Sequence, residues 1–395
     1  MLQFSCQRDL FSRALTIVNH AVAKGNVDLP ILRNICLTPD GDRMKLSATN
    51  LDIGINAWTD AKIEKKGKVA VPAKLFSDLI ASLPPGVITI TVMETNEVHV
   101  KAASQQGNNR VRGVSTEEFL PVPGAEEAVG QPLQLNAAQL KEVIKEVSIA
   151  AEQNSAGRPV LESVLIQLEP ERITFAAADG FRLSFKSLPL LVQGRQRTDI
   201  LVPVRTLIEL SSILPNDGIV QMNLMPNNSQ VLFYTDSMSL ASRLVEGIYP
   251  NYRAMLPAER PTRAVVARSA FTDIVKLTAL FARTGTKVAC LSIRSSGGLE
   301  PGTLSLASED SDLGGNLNVI EAAVDGDDQE MAFNVDFLEQ ALAVTATSEV
   351  TLEIGSGKAP CCLLRPAGMG GCVHFIMAMD SQVAAKVVPE VVAVS

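Results

Sequence analysis

Val71-Pro72-Ala73-Lys74-Leu75-Phe76-Ser77-Asp78-Leu79-Ile80 is the stretch on which the reading turns, because the chain writes its pattern three times. The pattern returns as Val202-Pro203-Val204-Arg205-Thr206-Leu207-Ile208-Glu209-Leu210 and as Phe333-Asn334-Val335-Asp336-Phe337-Leu338-Glu339-Gln340-Ala341-Leu342. Val71 to Val202 is 131 positions, and Val202 to Phe333 is again 131. Self-similarity at a fixed period marks a repeated structural unit. Each copy reads as a strand end running into a short amphipathic helix. Pro72 and Pro203 stand where a helix start tolerates a missing N–H, and Asn334 is a good cap residue. Leu75, Leu79 and Ile80 are expected on one face, as are Leu207, Leu210 and Ser211.

An earlier helix recurs too. Leu10, Leu140 and Phe271 align at spacings of 130 and 131, within helical patterns over 7–21, 136–151 and 268–282. Between the helices lie short alternating runs separated by turns such as Pro39-Asp40-Gly41-Asp42 and Pro226-Asn227-Asn228-Ser229. Strand ends at Thr49-Asn50, Ala178-Asp179 and Ser308-Glu309 repeat at 129 and 130. The linkers fall at Pro121-Val122-Pro123-Gly124 and Pro257-Ala258-Glu259-Arg260-Pro261. The expectation is an α+β chain of three repeated domains, 1–128, 129–257 and 258–379, with a tail over 380–395. In each domain two helices cover one face of antiparallel sheets. Three such units end to end form an arc, and two copies joined head to tail close it into a ring.

The chain has 395 residues, about half of them apolar and few of them aromatic, so its cores are aliphatic. The net charge of −8 argues weakly against nucleic acid, yet a local basic face outweighs a global count. Cys6, Cys36, Cys290, Cys361, Cys362 and Cys372 show no framework spacing and read as buried reduced thiols of a cytoplasmic protein. Neither a signal peptide nor a membrane span is expected.

Catalytic groups are scarce. His20 and His99 lie in the first repeat and His374 in the third, with no acidic or thiol partner apparent near them in sequence. Gly355-Ser356-Gly357-Lys358 lacks the spacing of a phosphate loop and reads as a hairpin turn. Glu309, Asp310 and Asp312 read as a solvated turn rather than a cation site. No catalytic residue, metal or cofactor is therefore expected. Basic residues recur on the helices of every unit: Arg8, Arg13 and Lys24, then Lys141 and Lys145, then Arg268, Lys276, Arg283 and Lys287. Lys74 and Arg205 start the shorter helices. A lined channel needs one sign from every unit, and few aromatics argues against single-strand stacking.

Five short runs carry a family resemblance: Leu29-Pro30-Ile31-Leu32, Gly157-Arg158-Pro159-Val160-Leu161, Ala178-Asp179-Gly180-Phe181-Arg182-Leu183, Ser242-Arg243-Leu244-Val245-Glu246-Gly247-Ile248-Tyr249-Pro250-Asn251-Tyr252 and Phe333-Asn334. In order and spacing the chain, from residue 1 to about 379, resembles the bacterial β sliding clamps, the processivity subunits of DNA polymerase III. The resemblance implies the DNA clamp fold and a head-to-tail homodimer ring around double-stranded DNA. It implies partners that dock through short linear motifs: replicative polymerase, clamp loader and repair proteins, with no membrane. It places a peptide slot at Leu161, Gly180, Phe181, Arg182, Leu183, Pro250, Met255, Phe375, Ile376, Met377 and Met379, with Asn334 and Phe337 at the rim. Ala178, Phe181, Ala254 and Met377-Ala378-Met379 depart from the family pattern and make the slot more apolar. Lys24, Lys141, Lys145, Arg158, Arg205 and Lys276 are the candidate DNA contacts. The alternative is a non-catalytic repeat scaffold that binds peptides without DNA.

Overall fold

The structure is a computed structural model. It describes residues 1–25, 27–104, 107–128, 130–152, 157–190, 197–226, 229–282, 287–296, 300–310, 314–355, 360–368 and 370–379. The tail over 380–395, Asp312, Arg283, residues 227–228 and residues 356–359 lie outside them. The helices are α1 (Arg8–Asn19), α2 (Ala73–Ser82), α3 (Ala137–Ser148), α4 (Val204–Ile213), α5 (Arg268–Phe281) and α6 (Val335–Val344). Each repeat thus supplies a pair. The second helix of each pair starts at 73, 204 and 335, at the 131-residue period. Asn334 caps α6, its side chain accepting from the Asp336 N–H at 3.0 Å.

The chain divides into two compact units, Met1–Leu140 with Arg205–Leu244, and Lys141–Val204 with Val245–Ser395. In the first, strands Leu133–Asn136, Ile219–Leu224, Gln230–Tyr234 and Met238–Arg243 continue into Ile53–Asp60, Arg43–Thr49, Asn34–Asp40 and Val69–Pro72 as one eight-stranded sheet. The join is Met238–Arg243 against Ile53–Asp60, antiparallel, with Ala241 opposite Gly54. A five-stranded sheet runs Lys62–Lys65, Leu2–Gln7, Val87–Val92, Glu97–Ala102 and Asn109–Arg112. Phe11 of α1 sits between Phe4 and Phe76, at ring-centroid distances of 5.8 and 6.1 Å. The linker after the first repeat is packed down. Val122 is buried, and the Asn56 amide donates to the carbonyls of Val122 and Pro123. Gly54 is required here, because a Cβ would lie 2.7 Å from Val122 Cγ1.

The second unit holds one twelve-stranded sheet. Its order is Thr198–Pro203, Ser163–Leu168, Arg172–Ala178, Arg182–Pro189, Val373–Met377, Cys361–Pro366, Glu349–Gly355, Thr262–Ala267, Gly314–Gly326, Gly302–Asp310, Val288–Arg294 and Gln329–Asn334. The join between repeats is again a strand pair, with Arg182–Pro189 against Val373–Met377 and Leu183 opposite Phe375. α5 and α6 pack against each other, and Phe271, Val275, Leu338 and Leu342 enter one core. α3 is tied down by Lys186, whose ammonium donates to Glu146 at 2.7 Å and Glu142 at 3.0 Å.

The structure corrects three sequence readings. Phe11, not Leu10, is the buried counterpart of Leu140 and Phe271, since α1 and α3 start 129 residues apart; Leu10 is 44% exposed. In α2 the buried face is Ala73, Phe76 and Ile80, while Leu75 is 57% exposed. His99 has an acidic neighbour after all, because residues two apart on a strand share a face and Glu97 lies 3.0 Å from its Nε2. Gly41, at φ +59, makes the expected turn between Asn34–Asp40 and Arg43–Thr49. All six cysteines are free and buried. Strands Glu349–Gly355 and Cys361–Pro366 pair antiparallel across residues 356–359, with Gly355 opposite Cys361.

Candidate functional site

The candidate slot lies in the second unit, at the pairing of Arg182–Pro189 with Val373–Met377. Strand geometry decides which side chains meet, since alternate residues face alternate sides. Leu183 and Phe185 face the same side as Val373, Phe375 and Met377, and as Cys361 and Leu363 on the next strand. Tyr249, Tyr252, Met255 and Leu256 close over this cluster from the last stretch of the second repeat. Ala178 and Leu165 complete its floor.

Polar groups fix the frame around these apolar walls. Gly180 adopts φ +95 in the turn between Arg172–Ala178 and Arg182–Pro189, a conformation that disfavours any Cβ. Asp179 Oδ1 accepts from the N–H groups of Phe181 and Arg182, both at 3.0 Å. Its Oδ2 takes Arg182 Nε at 2.9 Å. Arg182 also donates to Gln340 of α6 at 2.7 Å, and its guanidinium lies 4.3 Å from the centre of the Phe337 ring. The Phe181 carbonyl accepts from the Met377 N–H at 2.9 Å. The Ala178 N–H donates to the Tyr249 hydroxyl at 2.8 Å, and burial pushes that phenol far above its ordinary pKa. Tyr252 donates to Gln167 at 2.9 Å. Met379 is held by its N–H on the Ala332 carbonyl at 2.8 Å and packs on Val288 and Ala332.

Of the residues expected at the slot, Leu183, Met255, Phe375 and Met377 share this apolar cluster. Arg182, Phe337 and Asn334 gather at α6 and the strand preceding it. Phe181 projects outward at 65% exposure, Pro250 is exposed and Leu161 is half-buried. Ile376 is different. It is 1% exposed and points to the opposite face, into the core beneath α5 and α6. The sequence reading missed Phe185, Tyr249, Tyr252, Leu256, Leu363 and Val373. Strict alternation outward from Leu183 and Phe375 would have found Phe185 and Val373 and excluded Ile376.

The candidate DNA contacts sit on or beside the helices. Lys145 on α3, Arg205 on α4, Lys276 on α5 and Lys24 beyond α1 are exposed, and Lys141 on α3 is half-buried. Arg158 is exposed and pairs with Glu152 at 3.1 Å. Lys287 pairs with Asp336, and the Arg268 guanidinium donates to the Thr347 carbonyl at 2.8 Å. Among the described residues, no group of three or more His, Cys, Asp or Glu side chains is arranged to hold a metal. Among them too, no helix is long and apolar enough to cross a membrane.

Comparison with known proteins covers nearly the whole chain. Three family models match in succession: the DNA polymerase III beta subunit N-terminal domain over residues 2–121, its central domain over 134–251 and its C-terminal domain over 253–380. The beta sliding clamp of Synechocystis sp. is 26% identical over 394 residues, covering 95% of this chain and 98% of that protein. The beta sliding clamp of Bacillus subtilis is 24% identical over 375 residues, covering 92% and 96%. The crystal structure of the Bacillus subtilis DNA polymerase sliding clamp aligns with a TM-score of 0.87 at 23% identity, covering 96% of this chain and 99% of that one. That of a Pseudomonas aeruginosa sliding clamp bound to griselimycin aligns with a TM-score of 0.85 at 24% identity, covering 96% and 99%. Matched across all three of its repeats, the chain belongs to the DNA polymerase III beta subunit family, the beta sliding clamps.

Proposed function

We propose that two copies of this chain close head to tail around duplex DNA and hold the replicative polymerase to its template, with no chemistry of their own. The processivity role is that of the family. The observation that supports ring closure is the way the repeats join within the chain. Each repeat hands one strand to the next: Ile53–Asp60 pairs Met238–Arg243, and Arg182–Pro189 pairs Val373–Met377. Carried forward one step, the rule calls for Gly314–Gly326 of the third repeat to meet the strand in the first repeat that corresponds to Met238–Arg243 and Val373–Met377. That strand is Asn109–Arg112, the end of the five-stranded sheet. Among the described residues no further strand pairs with it on its outer side, so the proposed partner is a second copy. Leu317 and Val319 are 46% and 57% exposed on the one edge. Arg110 and Arg112 on the other complement Glu321. The domains of this ring are the three repeats, 1–128, 129–257 and 258–379.

A closed ring holds DNA by topology, so it needs only weak, sequence-independent phosphate contact. That reconciles the net charge of −8 with a DNA partner. Lys24, Lys141, Lys145, Arg158, Arg205 and Lys276 supply the contact, in the cytoplasm. The apolar slot of the second unit receives the linear motifs of polymerase, clamp loader and repair proteins. Its flexible Met255 and Met377 let different anchors repack. Charge reversal at Lys141, Lys145 and Lys276 together separates this reading from a DNA-free peptide scaffold. Primer extension on a long template is expected to lose processivity at least tenfold, with the fold and peptide binding intact. Unchanged processivity would favour the scaffold.

A further inference from the structure

Beyond the slot's apolar floor lies a small cavity of about 100 Å³. Four of its walls, Phe185, Leu256, Leu363 and Val373, belong to the same cluster as Leu183, Phe375, Met255 and Met377, so the cavity continues the slot. Its end is charged. Arg260 donates to one oxygen of Glu353 at 2.6 Å, and Arg365 donates to the other. Glu353 is 7% exposed in its side chain, whereas Arg260 and Arg365 keep 43% and 31%. Burial raises the Glu353 pKa, but hydrogen bonds from Arg365 and Arg260 outweigh it and hold the carboxyl below its ordinary value. The group therefore stays ionised, and two cations face one anion. The excess positive charge borders an apolar hollow, where attraction is screened less than in open water.

We infer that this hollow is an acidic-residue subsite: it accepts the Asp or Glu side chain of a docked peptide whose apolar residues fill the slot. The charge surplus sets the sign of the occupant, and the size admits one side chain rather than a through-running backbone. The inference rests on the slot being a peptide site. It adds a determinant of which peptides are preferred, carried by Arg260 and Arg365.

The test uses the full-length protein and an array of octapeptides each bearing three large apolar residues, scanned with Glu and then Gln at each flanking position. At one position Glu is expected to bind about fivefold more tightly than Gln, with the preference weakening in high salt. Arg260→Gln leaves the neutral Arg365–Glu353 pair in place, so the preference should fall below twofold. Glu353→Gln leaves two unopposed cations, so the preference should rise. A purely structural triad would not move the two variants in opposite directions. Binding without any Glu preference, or a preference that survives Arg260→Gln, overturns the subsite. If no peptide on the array binds and griselimycin does not bind either, the slot reading itself fails.

Discussion

Asp179 shows how much one side chain can organise. It caps a turn through two backbone N–H groups and orients Arg182 through a third bond, which places the guanidinium over Phe337. Asp179→Ala should cost about 2–3 kcal/mol in urea unfolding, because charge-assisted bonds are lost and Arg182 is left without its anion. Peptide affinity should fall with it. His374 offers a second test. It is 2% exposed, its Nδ1 lies 2.8 Å from Ser184 Oγ, and its Nε2 has no partner. Burial, reinforced by Arg182 and Lys186, lowers its pKa to about 3. In the unfolded chain it takes a proton near pH 6.5, while the folded state refuses it until about pH 3, so its contribution to stability is lost as pH falls below 6.5. Between pH 7 and 5 this is about 2 kcal/mol. The stability gap between wild type and His374→Gln should narrow over that window, and a constant gap would contradict the assignment. The sequence could not reveal the Ser184 partner, which stands 190 positions away.

At the scale of elements, the repeat makes the paired helices legible from the residues alone. The 131-residue period located the starts of α2, α4 and α6, and the Asn334 cap was readable from one residue. The face that α1 buries was not. Leu10 and Phe11 are both apolar, so a one-residue slip cost nothing in the pattern, and only the packing against Phe4 and Phe76 decides. The same ambiguity hid Phe76 behind Leu75. Phe11→Ala should destabilise by about 3–5 kcal/mol, whereas Leu10→Ala should stay within about 0.5 kcal/mol. Equal losses in chemical denaturation would restore the original alignment. In the slot, the resemblance supplied the neighbourhood, yet only the strand alternation separates Phe375, which faces the cluster, from Ile376, which does not.

At the scale of the whole molecule, the decisive feature is that repeats join by strand pairing rather than by flexible linkers. The linker signals at Pro121 to Gly124 were visible in sequence, but the cross-repeat pairs were not, because they link residues far apart in the chain. Those pairs are the basis for the proposed third junction, between two copies. Val319→Lys on the exposed edge should shift the solution mass from dimer to monomer in light scattering, without altering the secondary structure seen by circular dichroism. A dimer unchanged by that substitution would place the interface elsewhere. The central claim, retention by topology, has its own direct measurement. Protein assembled by a clamp loader on a nicked circular plasmid is challenged with high salt, and its release is compared before and after the plasmid is cut once. The account predicts a long-lived complex on the circle that is lost within seconds of linearisation as the ring slides off the ends; equal release from circle and linear DNA would contradict it.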